Sequence, residues 1–154
     1  MKVDQIQKDI QSKVNVALDA SGEDIKHLFK DVLYRDFYNV YKPVEYIRTE
    51  QIKNAIQKTP AVSSGTGSSV EVFYDEGVMK HPRPYAVGQS GVSHYVDYSE
   101  LEILIATMSG YHMVGVTGKG AKTDNTWFNT LAEFDKQKHS IISKQLKAAG
   151  LPIH

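Results

Sequence analysis

The chain has 154 residues, in which 18 lysines and arginines balance 18 aspartates and glutamates, so no broad basic field for nucleic acid is expected. It holds no cysteine, which excludes disulfides and thiolate zinc sites, and no stretch approaches the ~18 apolar residues of a membrane span. At this length one domain, residues 1–154, is expected to bury roughly 70% of the unfolded surface, and the charged start MKVDQIQKDIQSK lacks a signal peptide's apolar run, so a soluble protein made inside the cell is expected.

Val3, Ile6, Ile10, Val14, Ala17 and Leu18 recur every three or four positions, the stripe of an amphipathic helix. Ser21 and Gly22 interrupt it. Ser21 with Asp24 reads as an N-cap with an acidic third position, after which Ile25, Leu28, Phe29, Val32 and Leu33 renew the stripe toward Val40. Two helices and one bent helix are both allowed. The opposite face mixes Lys, Asp and Gln and reads as solvated surface. Pro43 fixes its own φ and pushes Lys42 out of the helical region, so the helix is predicted to stop near Tyr41. A short extended piece over 44–48 follows, and Thr49 is placed to cap a turn that carries Ile52, Ala55 and Ile56 on one face.

The run SSGTGSS marks a turn or flexible loop tip, and Val70, Val72 and Tyr74 alternate with Glu71, Phe73 and Asp75 as a strand does. A hairpin with strands near 56–62 and 69–75 is predicted, with Asp75, Glu76 and Gly77 turning the chain away. The segment KHPRPYAVGQSGVS, residues 80–93, has no period and reads as an ordered excursion or a mobile arm. Ser99 with Glu102 signals a helix carrying Leu101, Leu104, Ile105 and Met108 and ending before Gly110. After a glycine-rich stretch, Thr123, Asp124 or Asn125 is placed to cap a last helix whose Trp127, Leu131, Phe134, Ile141, Ile142, Leu146 and Ala149 keep helical spacing until Gly150 and Pro152 stop it. The predicted class is α+β: a long N-terminal helix or helix pair, a small antiparallel sheet with a hairpin, and a C-terminal helix packed on the sheet.

Candidate chemistry is sparse. The stretch GVTGKGAKT, residues 115–123, approaches a phosphate-binding loop, but Ala121 displaces the lysine that should follow the second glycine, and no alternating strand and helix series surrounds it. Of the six histidines, His27, His81, His94, His112, His139 and His154, no two have the spacing of a helical zinc pair. Asp75 with Glu76, and Glu100 with Glu102, diverge on a strand and on a helix rather than forming acid and base pairs. No catalytic, cofactor-binding or metal-binding residue is assigned.

Tyr41, Pro43, Tyr46, Arg48 and Thr49, in the order Y-x-P-x-x-Y-x-R-T with Ile52 three positions on, resemble the signature of a phage neck family. This is the minor structural protein, also called the tail-completion or head-to-tail joining protein, of long-tailed phages and prophages. Looser agreement runs through the long N-terminal helix, the polar hairpin leading to VEVFYDEGVM, the step Gly110, Tyr111, His112, and a C-terminal helix with Trp127 near its start. The sequence departs at Glu50, where relatives often carry glycine, so a positive φ is not required there. The resemblance implies a ring, commonly six-fold, in the virion neck around the channel for DNA. One side meets the portal and head-closure (adaptor) layer, and the other the tail terminator or tail tube. DNA contact is non-specific, and no membrane or cofactor is involved.

Within that frame the loops 62–69 and 80–93 are expected to carry the contacts between subunits, and the free chain to be monomeric or weakly associated. Tyr41 and Tyr46 are expected to pack on Pro43 and the helix end, with Arg48 satisfying terminal carbonyls or a carboxylate and Thr49 capping the next turn. The competing place for Arg48 is the channel, against DNA phosphate. The alternative function is a small intracellular nucleotide- or metal-binding enzyme using the loop 115–123.

Overall fold

A computed structural model describes residues 3–39, 51–65, 67–78 and 126–153. The N-terminal pattern forms one uninterrupted helix, α1 (Val3–Leu33), rather than two. Ser21 does not cap a second helix; its hydroxyl donates to the Ala17 carbonyl at 2.8 Å, within the same helix. A serine and a glycine each cost a helix interior about 1 kcal/mol or less, and the apolar stripe on either side outweighs that by burying Ala17, Ile25, Phe29, Val32 and Leu33. Leu33 leads directly into a single widened turn, the π-helix Tyr34–Tyr38, closed by the Asn39 amide on the Tyr34 carbonyl at 2.8 Å. The wider turn puts Leu33 and Tyr38, five residues apart, in the same core.

The next described element, α2 (Gln51–Ala55), is a single helical turn. Ile52 and Ala55 are buried as expected, but Ile56 opens strand β1 (Ile56–Lys58) instead of continuing the helix. Strand β1 pairs with β4 (Val72–Tyr74) in the register Ile56 with Tyr74 and Lys58 with Val72. Farther out, β2 (Val62–Ser64) pairs with β3 (Gly67–Ser69), so the predicted hairpin is present and its ladder reaches almost to the tip. Between the two ladders, residues 59–61 face only residues 70–71, a one-residue bulge in the first strand. Pro60 at that point has no amide to give a ladder. Thr59 replaces the missing bonds: its amide donates to the Glu71 carbonyl at 2.9 Å, and its hydroxyl accepts the Glu71 amide at 3.0 Å. Gly65 supplies the positive φ of +57° that the tight tip requires.

Asp75 then turns the chain as predicted, its carboxylate accepting the Gly77 amide at 3.0 Å at the start of a short 3-10 turn, Glu76–Val78. The last helix, α3 (Thr126–Ala148), runs antiparallel to α1, since Asn129 reaches Asp36, Phe134 meets Phe29, and Gln145 reaches Asp24. It ends as the sequence indicates. Gly150 takes φ +78°, and the amides of Gly150 and Leu151 return to the carbonyls of Lys147 and Leu146 at 2.9 and 3.1 Å. The architecture is α+β, with α3 lying chiefly along α1 and touching the sheet through Trp127 against Tyr74. The core gathers Ile25, Phe29, Leu33, Tyr38, Ile52, Ala55 and Ile56, with Val72, Tyr74, Phe134 and Ile141 packed on it. Among the described residues no helix is long and apolar enough to cross a membrane. The helix expected over 99–108, and its proposed caps, lie outside the described residues.

Gly22 explains how the hairpin comes close to α1. A Cβ there would lie 2.7 Å from Val70 Cγ2 and 3.3 Å from Lys58 Cδ. Gly22→Ala therefore gains about 1 kcal/mol of helix propensity but overpacks a stiff β-branched neighbour at a cost of about 1–3 kcal/mol. The expected net result in urea unfolding is destabilisation. In a Val70→Ala background the same substitution is expected to stabilise, and an unchanged sign there would remove the close-approach explanation.

Candidate functional site

The motif residues Tyr41, Pro43, Tyr46, Arg48 and Thr49 lie outside the described residues, as do His81, His94, His112, His154, the step Gly110 to His112, Glu100, Glu102, the segment 80–93 and the loop 115–123. What the fold does place is the chain on either side of the motif. Tyr38 before it and Ile52 after it are both buried in the same core cluster. The described chain therefore reaches residue 39 and resumes at residue 51 close to one core cluster, beside the C-terminal end of α1.

At that place stands a charged clasp built on Asp36, a residue the sequence reading did not single out. Asp36 is only 7% exposed, and its carboxylate accepts Arg35 Nε at 2.6 Å, Arg35 Nη2 at 3.1 Å and Asn129 Nδ2 at 2.8 Å. Burial pushes the Asp36 carboxyl up. The hydrogen bonds from Arg35 and Asn129, with the Arg35 charge, outweigh it and hold the group below the usual carboxylate range. The same hydrogen bond raises the Arg35 guanidinium, with burial opposing and the charges of Asp36 and Glu133 adding to it. The clasp ties the end of α1 to the start of α3. Its signal was present in the sequence: position 36 continues the stripe of 29, 32 and 33, so an acid there had to be buried with a partner.

Close by, Tyr74 packs its ring on Trp127 at 6.5 Å between centroids, and its buried hydroxyl has no hydrogen-bond partner among the described residues. Burial, with a contribution from Tyr38, pushes its phenol well above the ordinary tyrosine range.

The second polar locus is the seam between α1 and the outer hairpin. Gln11, Asn15 and Asp19, one turn apart on α1, meet Ser68, Ser63 and Lys58. Asn15 Nδ2 donates to Ser63 Oγ at 2.8 Å, Ser68 Oγ donates to Asn15 Oδ1 at 2.6 Å, and Lys58 Nζ lies 2.7 Å from Asp19 Oδ1. The hydrogen bond from Lys58 lowers the Asp19 carboxyl, against the opposing effect of burial. Residues 62–64 and 67–69, within the run expected as a turn or flexible loop tip, are two paired strands fastened to α1. The serines that suggested flexibility are hydrogen-bonding partners for Asn15. This pairing was not legible in sequence, because amide and hydroxyl residues reveal their partners only once the hairpin is folded back.

Asn15→Ala removes the centre of this seam. A net loss of about 1 kcal/mol is expected, with faster amide exchange in β2 and β3 and unchanged exchange in β1 and β4. Equal acceleration of all four strands would show that the seam is not a local fastening.

Among the described residues no group of three His, Cys, Asp or Glu side chains is placed to hold a metal ion. His27 lies 3.7 Å from Glu23 one turn away, and Asp75 is engaged in its turn rather than paired as an acid or base. The described residues thus define an α+β protein of an antiparallel helix pair with a hairpin latched along the longer helix, offering surfaces and clasps. No known family model, curated protein or solved structure matches the chain.

Proposed function

We propose that this chain is a structural protein of a tailed phage or prophage, a neck or tail-completion component that joins the portal and head-closure layer to the tail. The observation carrying this reading is the spacing of Tyr41, Pro43, Tyr46, Arg48 and Thr49, followed by Ile52. In this role the protein forms a ring, six-fold as the resemblance implies, whose contacts are heterologous and close by rotation. It is assembled from protein made in the host cytoplasm and remains in the virion.

The test is genetic and then biochemical. Particles made without this chain are expected to accumulate as filled heads and separate tails, and the purified protein is expected to join them in an extract. Normal yields of joined virions in its absence would end the proposal. Arg48→Ala decides between the two roles of that residue. As a clasp its loss costs about 1–3 kcal/mol through unpaired partners. If unfolding is unchanged while DNA retention or ejection fails, Arg48 belongs to the channel.

A further inference from the structure

The hairpin is built in two parts that are held in different ways. The inner ladder, β1 with β4, is anchored by apolar packing: Ile56 is fully buried, and Val72 and Tyr74 pack on the core cluster. Val70 lies against Gly22, and Lys58 is paired with Asp19. The outer ladder, β2 with β3, has no such anchor. Val62 is 58% exposed, the rest of β2 is exposed with it, and in β3 only Ser68 is half-buried.

What holds the outer ladder on α1 is polar. Gln11 Nε2 donates to Ser68 Oγ, and Asn15 shares hydrogen bonds with Ser63 Oγ at 2.8 Å and Ser68 Oγ at 2.6 Å. Among the described residues these are the only side-chain hydrogen bonds that tie 62–64 and 67–69 to the rest of the chain. The bulge separates the two parts. Beyond the bonds between Thr59 and Glu71, Pro60 has no amide to give, and the ladder resumes only where Val62 pairs with Ser69.

We propose that the outer ladder is a latch, stowed along α1 in the resting chain and able to swing off it as a unit about the joint at residues 60–61 and 70. The inner ladder and the core stay in place. Little apolar surface is uncovered by the swing, because the side chains that meet α1 are Ser63 and Ser68, so the hydrophobic effect does little to oppose it. The bonds it breaks lie at or near the surface, where water replaces them. Each of the residue pairs Gln11 with Ser68, Asn15 with Ser63 and Asn15 with Ser68 then favours the stowed state by a factor of about 2–10. Together they leave the latch open on the order of 1% of the time. The motion belongs to the free chain, so it stands or fails independently of the neck reading.

Spin labels test the latch in the full chain, whose lack of cysteine lets label pairs be placed at will. Labels at Lys8→Cys on α1 and Ser64→Cys near the hairpin tip follow the outer ladder, and labels at Lys8→Cys and Gln57→Cys follow the inner one. In a background of Gln11→Ala with Asn15→Ala, the first pair is expected to gain a second, longer distance, its share raised about tenfold or more over the wild type. The second pair is expected to keep a single distance. Trp127 fluorescence, which reports the inner end through Tyr74, is expected to be unchanged. In the wild type, NMR relaxation dispersion of the amides of 62–64 and 67–69 is expected to show one shared exchange process in the microsecond to millisecond range that 56–58 and 72–74 lack. A single short distance for the first pair in both backgrounds overturns the proposal, because the outer ladder is then held by more than its polar seam. Lengthening of both pairs together overturns it too, since the whole hairpin would then be coming away from Ile56 outward, as does an outer ladder with no exchange process of its own.

Discussion

Phe29→Ala is expected to destabilise the chain by about 3–5 kcal/mol, the largest effect of any single substitution considered. Phe29 is 7% exposed and belongs to the core cluster, and its ring meets Phe134 edge to face at 6.5 Å between centroids. It is the aromatic link between α1 and α3. Removing it leaves a cavity that flanking Leu33 and Ile56, both fully buried, have little freedom to fill. The aromatic pair adds about 0.5–1.5 kcal/mol beyond area, so Phe29→Leu should retain most of the stability and lose that increment. Urea unfolding followed by circular dichroism measures both. A loss below about 1 kcal/mol for Phe29→Ala would mean that the helix pair is held elsewhere.

The second large effect is expected at Asp36. Asp36→Ala abolishes the bonds from Arg35 and Asn129 and leaves Asn129 without its acceptor at the helix junction, for a cost of about 1–3 kcal/mol. Its pH dependence has a definite sign. The folded-state pKa is depressed below the ordinary aspartate value near 3.9. The stabilisation is therefore fully present above about pH 4 and is lost as pH falls through the lower folded-state value. Asp36→Asn cannot titrate, so its unfolding midpoint should lie below that of the wild type at pH 6 and converge on it toward pH 2. Parallel curves for the two proteins over that range would show that Asp36 titrates alike in the folded and unfolded chains.

The elements that depend on periodicity and on chain stops were legible from the residues. The stripe from Ile25 to Leu33, the alternation from Val70 to Tyr74, the helical spacing of Phe134 and Ile141, and the stop at Gly150 each follow from local geometry that the side chains carry with them. Asp36 was missed in the sequence, although its place on the stripe of Phe29, Val32 and Leu33 is the signal that could have found it.

Other features were decided by contacts between distant segments. Ser21 and Gly22 look like a break until the hairpin arrives: Val70 then needs the space that Gly22 leaves, and the continuous helix with its internal Ser21 bond becomes the better state. Val3, Ile6 and Ile10 carry the same pattern as Ile25 and Phe29, so periodicity alone assigns both sets to a core. Among the described residues the first set stays exposed because α3 reaches along α1 only to the region of Asp24, and a side chain's pattern states what it avoids while a neighbour's reach determines what covers it.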